Sequence, residues 1–507
     1  MPTSPLPSVP VLSTADAGAF EAVLFGGDRR KEWKAMLRAG RSVADGILRD
    51  MGEVGGFAGG GRVLVLAGRG NNAGDALIAA TEILERFPRA SAEVVFAFGS
   101  RRLKPLAARA WRGLREAGRG RVRPVAAKAL SGRFELCIDG IFGFQYRPPL
   151  PAEARVSIEA SSRLRIRMRA AVDLPTGWKE AGAFRADFTY ATGTVKDPIL
   201  GCANAGRPRY VDLGFYPGAP FEARATKGDW VLLAGVLESV AGLRPAGSDK
   251  RSQGHLVLVG GSEGLPGAIL MASLASLKSG AGLVTACVPR TLAPAFAARV
   301  PEVMWVGLPE TRGGGLAPAG FARIMAMVGR ATALAIGPGL GRDPATQALA
   351  LKVVKASTVP LVIDGDALQA RIVRAGVAPR ILTPHAGEYK RISDGAGLRK
   401  LCSELPAVVI QKGPVTGISD GGAVFHAFAG GPVLSRGGSG DILAGLTGGL
   451  LAQGPGDPLA AACRAALWHG MAADLLARSK GQAAVRTLQL LDFLSPALRE
   501  SAACPES

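Results

Sequence analysis

VLSRGGSGDILAGLTGGL, residues 433–450, places Gly437, Gly438, Ser439 and Gly440 directly before one acid, Asp441, and an apolar helical pattern follows at once. Glycine permits backbone conformations that turn successive N–H groups to one side. A helix start adds unpaired N–H groups and the positive end of a dipole. Together they attract an anion such as phosphate. The bland reading makes Asp441 a first-turn acid that the helix dipole stabilises by about 0.3–1 kcal/mol. The chemical reading makes it a base that takes a proton from a group meeting the phosphate.

Outward from this loop, apolar runs alternate with helical patterns. HLVLVGG (255–261), GLVTACVP (282–289), ALAIGPG (333–339), PLVIDGD (360–366) and AVVIQKG (407–413) read as buried strands. Each ends in a polar or glycine-rich group, where open α/β sheets bind ligands. GPGLG (337–341) is a turn or a ligand loop. Asp364 and Asp366 are helix caps or site acids. TPHAGE (383–388) offers His385 and Glu388, and Lys412 stands at a strand end or in solvent. Singly these groups are weak signals; in this order they are specific.

The N-terminal half repeats the alternation. RVLVLAG (62–68), AEVVFAFG (92–99), FELCIDG (134–140) and RMRAAVD (167–173) read as four strands, with helical patterns at 76–87 and 106–118. The fold class is therefore α/β with two doubly wound domains of parallel strands. The irregular stretch from 210 to about 251 places the boundary near 222, giving domains 1–222 and 223–507. GRGNNAGDAL (68–77) follows a strand and opens a helix, but it is neither G-x-G-x-x-G nor a phosphate loop with lysine. Its two amides and Asp75 suit a polar ligand or a capped turn. Asp139 and VDLPTG (172–177) end two further strands, and oxygen donors from these three loops can hold a monovalent cation.

Length and composition agree. The chain has 507 residues, 48% apolar and 20% charged, enough for two or three cores. No run of about 18 apolar residues marks a membrane span, and the start lacks the pattern of a secretory signal. Six cysteines stand singly at 137, 202, 287, 402, 463 and 504, which favours reduced thiols in a cytoplasm over disulfides or zinc. The net charge of +20 invites a nucleic-acid reading. The arginines are scattered, though, and aromatic interleaving of the kind that stacks bases is absent, so nucleic acid is not expected as a partner. Arg163–Arg169 (RLRIRMR) looks like a strand with one basic face.

The C-terminal blocks resemble the ribokinase-like superfamily, in which a G-x-G-D loop forms an anion hole and its acid deprotonates an acceptor hydroxyl. They are more similar still to the ADP- or ATP-dependent NAD(P)H-hydrate dehydratases, on residues 254–284, GPGLG, TPHAGE and GGSGDILAGL. That resemblance implies phosphorylation of the hydroxyl of hydrated NAD(P)H and loss of the phosphate, with magnesium and an adenine nucleotide, ADP being the expected one. It places Ala268, Gly339 and His385 at the hydrate, Lys412, Gly413, Pro414, Val415, Thr416 and Gly440 at the adenylate, and Asp441 as the base.

The N-terminal half resembles the NAD(P)H-hydrate epimerase domain, a Rossmann-like fold whose signature is close to NNGGD plus D-x-P-S-G. The resemblance implies that Asn72, Asp139 and Thr176 bind potassium. It also implies that Asn71, Asn72, Ala73, Gly74, Asp75, Gly143 and Asp173 contact the hydrate, Asp173 handling protons as well. Departures fall on Ala73 for glycine, Thr176 for serine, Arg38 for an acid, and IFGFQYRPPL (141–150), which lacks a small turn after Gly143. Ala73 is expected to crowd the ligand and to strain a positive φ, whereas Thr176 keeps an oxygen. Two other readings are a small-molecule kinase beside a non-catalytic scaffold, and a basic RNA-binding scaffold. A homo-oligomer is expected, and apolar helices such as 461–477 cover either an interface or a core.

Overall fold

The computed structural model describes residues 6–216 and 228–503. The expected boundary at 222, and Cys504, lie outside the described residues. The chain forms two compact units: the described residues 9–216 with 477–482 make the first, and 6–8, 228–476 and 483–503 make the second.

The first unit holds a seven-stranded sheet in the order Val122–Pro124, Ser91–Phe96, Arg62–Ala67, Arg133–Gly140, Arg165–Val172, Phe188–Thr192 and Arg207–Val211. Every neighbouring pair is parallel. The chain runs outward from Arg62–Ala67 and then returns to lay Arg133–Gly140 on its other side. That reversal opens a crevice beyond the strand ends, and Gly68 to Asn72 and Ile141 to Gln145 meet there.

Four strands were expected here, and all four form. The three others are short or carry proline and arginine, so their apolar pattern is weak. Arg165–Val172 begins two residues earlier than expected, and its arginines are not a bare basic face. Arg167 binds Glu135 at 2.7 Å, and Arg169 donates to the carbonyl oxygens of Ser161 and Leu164.

In the second unit the strands follow the order Met304–Leu308, Leu283–Pro289, His255–Val259, Ala333–Ile336, Leu361–Ile363, Arg380–Leu382, Val408–Gln411, Thr416–Ser419, Val424–Ala427 and Asp229–Leu232. The five expected strands all lie in it. The expectation of purely parallel strands needs one correction, because Thr416–Ser419 is antiparallel to both neighbours. Lys412 to Val415 is too short for a crossover, which needs a dozen or more residues, so the strand turns back as a hairpin. The chain reverses direction between His255–Val259 and Ala333–Ile336, and their following loops, Gly260 to Leu265 and Gly337 to Gly341, lie side by side.

Helix Ser439–Gln453 crosses helix Pro266–Lys278 at very short range. A Cβ on Gly445 would lie 2.1 Å from the carbonyl oxygen of Ala272, and one on Gly449 would lie 1.9 Å from Ser279 Oγ. Ser276 Oγ donates to Gly445 O at 3.0 Å. The glycines after Asp441 thus seat the helix whose first turn carries the acid. Among the described residues no helix is long and apolar enough to cross a membrane, and Cys137, Cys202, Cys287, Cys402 and Cys463 form no disulfide.

Candidate functional site

In the second unit the anion-hole reading has a geometric basis. Gly438 caps helix Ser439–Gln453 with φ +93°, and a Cβ there would strike Met271 Cε at 2.4 Å. Only glycine fits both demands. Asp441 stands in the first turn, half-buried. Its pKa is pushed up to about 6, first by burial and then by the charge of Asp364, with Lys412 pulling the other way.

Lys412 is anchored by its own backbone N–H, which donates to Pro384 O at 2.9 Å. Its Nζ lies 3.3 Å from Asp364 Oδ1 and 3.9 Å from Glu388 Oε2. Thr383 donates to the same Asp364 oxygen at 2.5 Å. The loop before Asp441 passes over this cation, since a Cβ on Gly440 would lie 3.2 Å from Lys412 Nζ. Strand ends far apart in sequence therefore converge on one charged group.

His385 caps helix Ala386–Ser393: its Nδ1 accepts from the N–H of Gly387 and of Glu388, and Glu388 Oε2 accepts from His385 N. The other ring nitrogen, Nε2, lies 3.4 Å from Glu388 Oε1, and the side chain is 60% exposed. The cap and an outward-facing ring coexist in one residue.

Gly339 and Ala268 meet. A Cβ on Gly339, at φ +63°, would lie 3.0 Å from Ala268 Cβ and 2.4 Å from Leu265 O. Gly413, Pro414 and Val415 form the hairpin turn and Thr416 opens the next strand. His469, which the sequence did not suggest, is buried on helix Pro458–Lys480. Burial and the Lys412 charge hold its ring neutral, its pKa lowered to about 4.

In the first unit a cavity of about 280 Å³ opens at the sheet crevice, lined among others by Asn71, Asn72, Asp75, Gly143 and Asp173. Two residues that the sequence did not suggest, Glu21 and Lys196, line it as well. Ala73 and Gly74 sit differently: both are buried in helix Asn71–Arg86, with Gly74 packed against Met36. Whatever they offer the cavity comes from backbone. Ala73 has an ordinary helical φ, so the strain expected for alanine there is absent. Arg38 is exposed and donates to Leu213 O at 3.0 Å, outside the cavity lining.

Asp139 is fully buried. Its Oδ2 accepts from Thr176 N at 2.7 Å, and its Oδ1 from Thr176 Oγ1 at 2.7 Å and Ile141 N at 3.2 Å. Burial pushes its pKa to about 6. These neutral donors leave a buried negative charge that a monovalent cation would balance. Asn72 Nδ2 in the same crevice is buried without a hydrogen-bond partner; an amide N–H donates and does not ligate a cation, so the fit to a monovalent cation rests on the buried Asp139 carboxylate.

Asp173 adopts φ +67°. Lys196 Nζ lies 2.6 Å from its Oδ1, and the N–H of Phe144 donates to its Oδ2 at 2.7 Å. A Cβ on Gly143 would lie 2.4 Å from that second oxygen, which is why this loop position is glycine.

A profile described as NAD(P)H-hydrate dehydratase matches residues 256–496, and one described as the YjeF-related protein N-terminus matches residues 33–197. Similar solved structures include a ribokinase-like superfamily protein from Enterococcus faecalis, 29% identical over 54% of this chain and 95% of its own, with a TM-score of 0.47. Another is the ADP/ATP-dependent NAD(P)H-hydrate dehydratase from Bacillus subtilis co-crystallised with ATP and Mg2+, 26% identical over 53% and 97%, with a TM-score of 0.46. The bifunctional NAD(P)H-hydrate repair enzyme Nnr of Moorella thermoacetica is 34% identical over 86% of this chain and 87% of its own length. The Nnr of Gloeobacter violaceus is also 34% identical, over 92% and 93%. With both halves matched in order and at that coverage, the chain belongs to the family of bifunctional NAD(P)H-hydrate repair enzymes.

Proposed function

We propose that the second unit dehydrates NAD(P)H-hydrate at the expense of an adenine nucleotide, with Asp441 as general base, and that the first unit interconverts the two epimers of the hydrate. The observation that carries the reading is Asp441 in the first turn of its helix, with Lys412 and Asp364 bearing on its charge. Asp441 takes the proton of the hydrate hydroxyl as its oxygen attacks the terminal phosphoryl group. The N–H groups at the helix start neutralise charge on that group. Loss of the phosphate then regenerates the dihydronicotinamide.

Ala268, Gly339 and His385 are the residues for the hydrate, and Lys412 to Thr416 with Gly440 those for the nucleotide. Among the described residues no group of three metal-ligating acids, histidines or cysteines occurs. A magnesium ion would enter with the nucleotide phosphates, and Asp364 and Glu388, the carboxylates beside Lys412, would be the groups to meet it. In the first unit Asn72, Asp139 and Thr176 would hold potassium, which supplies positive charge beside the hydrate.

Incubation of the full chain with a nucleotide and hydrated NADH tests the reading: absorbance of the reduced nicotinamide returns with wild type and not with Asp441→Asn. Phosphorylation of a simple alcohol with no recovery of reduced nicotinamide would favour the small-molecule kinase.

A further inference from the structure

The first-unit cavity gathers three carboxylates, Glu21, Asp75 and Asp173, with Arg69, Lys104 and Lys196, and the carboxylates are not equivalent. Asp173 has both oxygens engaged, one by Lys196 and one by the N–H of Phe144, and its side chain is 7% exposed. Taking up a proton would break a charge-assisted bond on either side. Lys196 is itself clamped: it is 1% exposed, its Nζ lies 3.4 Å from Thr192 O, and it sits 4.8 Å from the centre of the Phe144 ring.

Glu21 is different. It comes from helix Thr14–Phe25, which follows a strand that pairs Leu12 with Lys196. Its side chain is 26% exposed, and its Oε1 lies 3.9 Å from Lys196 Nζ. It therefore faces the ligand space with its charge partly balanced and no close ion pair to break.

We infer that Glu21 is a catalytic residue of epimerisation, giving a proton to the departing hydroxyl of the hydrate and recovering it, while Lys196 positions Glu21 and Asp173. This rests on the epimerase reading of the first unit. The hydroxyl-bearing carbon adjoins the ring nitrogen. As the C–O bond breaks, the Glu21 proton joins the hydroxyl to make water, and the nitrogen lone pair forms C=N. Water then adds to the opposite face, the C=N pair returns to nitrogen, and the proton shed goes back to the Glu21 carboxylate through cavity water. No oxidant or other co-reactant is consumed.

The electrostatics suit the role. Burial raises the Glu21 pKa to about 7, with Lys196 lowering it and Asp173 raising it. Asp75 and Tyr216 are the other titratable groups that interact with it. Asp75 is pushed well above the ordinary range by burial, and the charges of Asp173 and Glu21 push it the same way. A group titrating near neutrality is the efficient proton carrier at that pH.

The test uses the full chain, supplied with the epimer that the second unit does not dehydrate and, separately, with the one it does. Glu21→Gln should lower catalysed interconversion at least 100-fold while dehydration of the usable epimer stays within twofold. Glu21→Asp should recover part of the rate. In wild type the catalysed rate should fall as pH rises through about 7, and in Lys196→Met that fall should move to higher pH. Glu21→Gln with the wild-type rate and pH profile would overturn the assignment and leave the epimerase reading standing. Wild type no faster than the spontaneous reaction would overturn that reading, and this assignment with it. If Glu21→Gln does not fold, Glu21→Asp and Lys196→Met decide: an unchanged rate and pH profile in both overturns the assignment.

Discussion

Lys412 Nζ lies 3.3 Å from Asp364 Oδ1, and this ion pair sets the conditions under which Asp441 works. The lysine lowers the pKa of Asp441 and the aspartate raises it, and burial raises it further, to about 6. A base must be ionised, so dehydratase kcat/KM should rise as pH passes through about 6. Asp364→Asn should move that limb to lower pH and Lys412→Met to higher pH. A limb that stays in place in both variants would contradict the electrostatic account.

Asp441→Asn should lower dehydration by ~10²–10⁴-fold, the range for loss of a positioned general base. Its stability should move the other way. A carboxyl whose folded pKa is raised contributes stability below its unfolded pKa and loses it as pH rises through the folded value. The melting temperature of the variant relative to wild type should therefore increase between pH 4 and pH 7. Thermal scans at the two pH values check this.

Asp139 is pushed to about 6 by burial, so the same sign applies: its ionisation above that pH costs stability, and a bound cation offsets the cost. Potassium in place of choline should raise the melting temperature more at pH 8 than at pH 5. Asp139→Asn should abolish the difference. Identical melting in both salts at pH 8 would remove the cation from the site.

Gly445→Ala drives a methyl to 2.1 Å from the backbone oxygen of Ala272 and should cost about 1–3 kcal/mol, the usual penalty for overpacking. Gly437→Ala meets nothing within 4 Å and should stay within about 0.5 kcal/mol. Urea unfolding of the two variants separates helix packing from loop flexibility.

Ala73→Gly replaces a helical, fully buried alanine, so it should cost about 0.5–1 kcal/mol and relieve no strain. A gain in stability on chemical denaturation would show that the first turn of this helix is strained after all.

Both sheets were legible because buried parallel strands are continuous apolar runs, and their glycine-rich ends mark the ligand edge. HLVLVGG and ALAIGPG form strands as expected, and the structure brings Lys412 to Asp364, Glu388 and Gly440, and Gly339 to Ala268. Thr416–Ser419 and Arg207–Val211 escaped because short strands with glycine, proline or arginine owe their place to neighbours rather than to pattern.

Sequence alone determined the two α/β units and singled out the glycine-rich loop before Asp441 and the strand-end residues Asp139 and Thr176, because each depends on residues adjacent in the chain. Only the tertiary structure decided that Lys196 clamps Asp173, that Glu21 faces the same cavity, and that Ala73 is buried in the hydrophobic core. Those facts join residues brought together by strand order, and an electrostatic field depends on distance through space, which spacing along the chain does not encode.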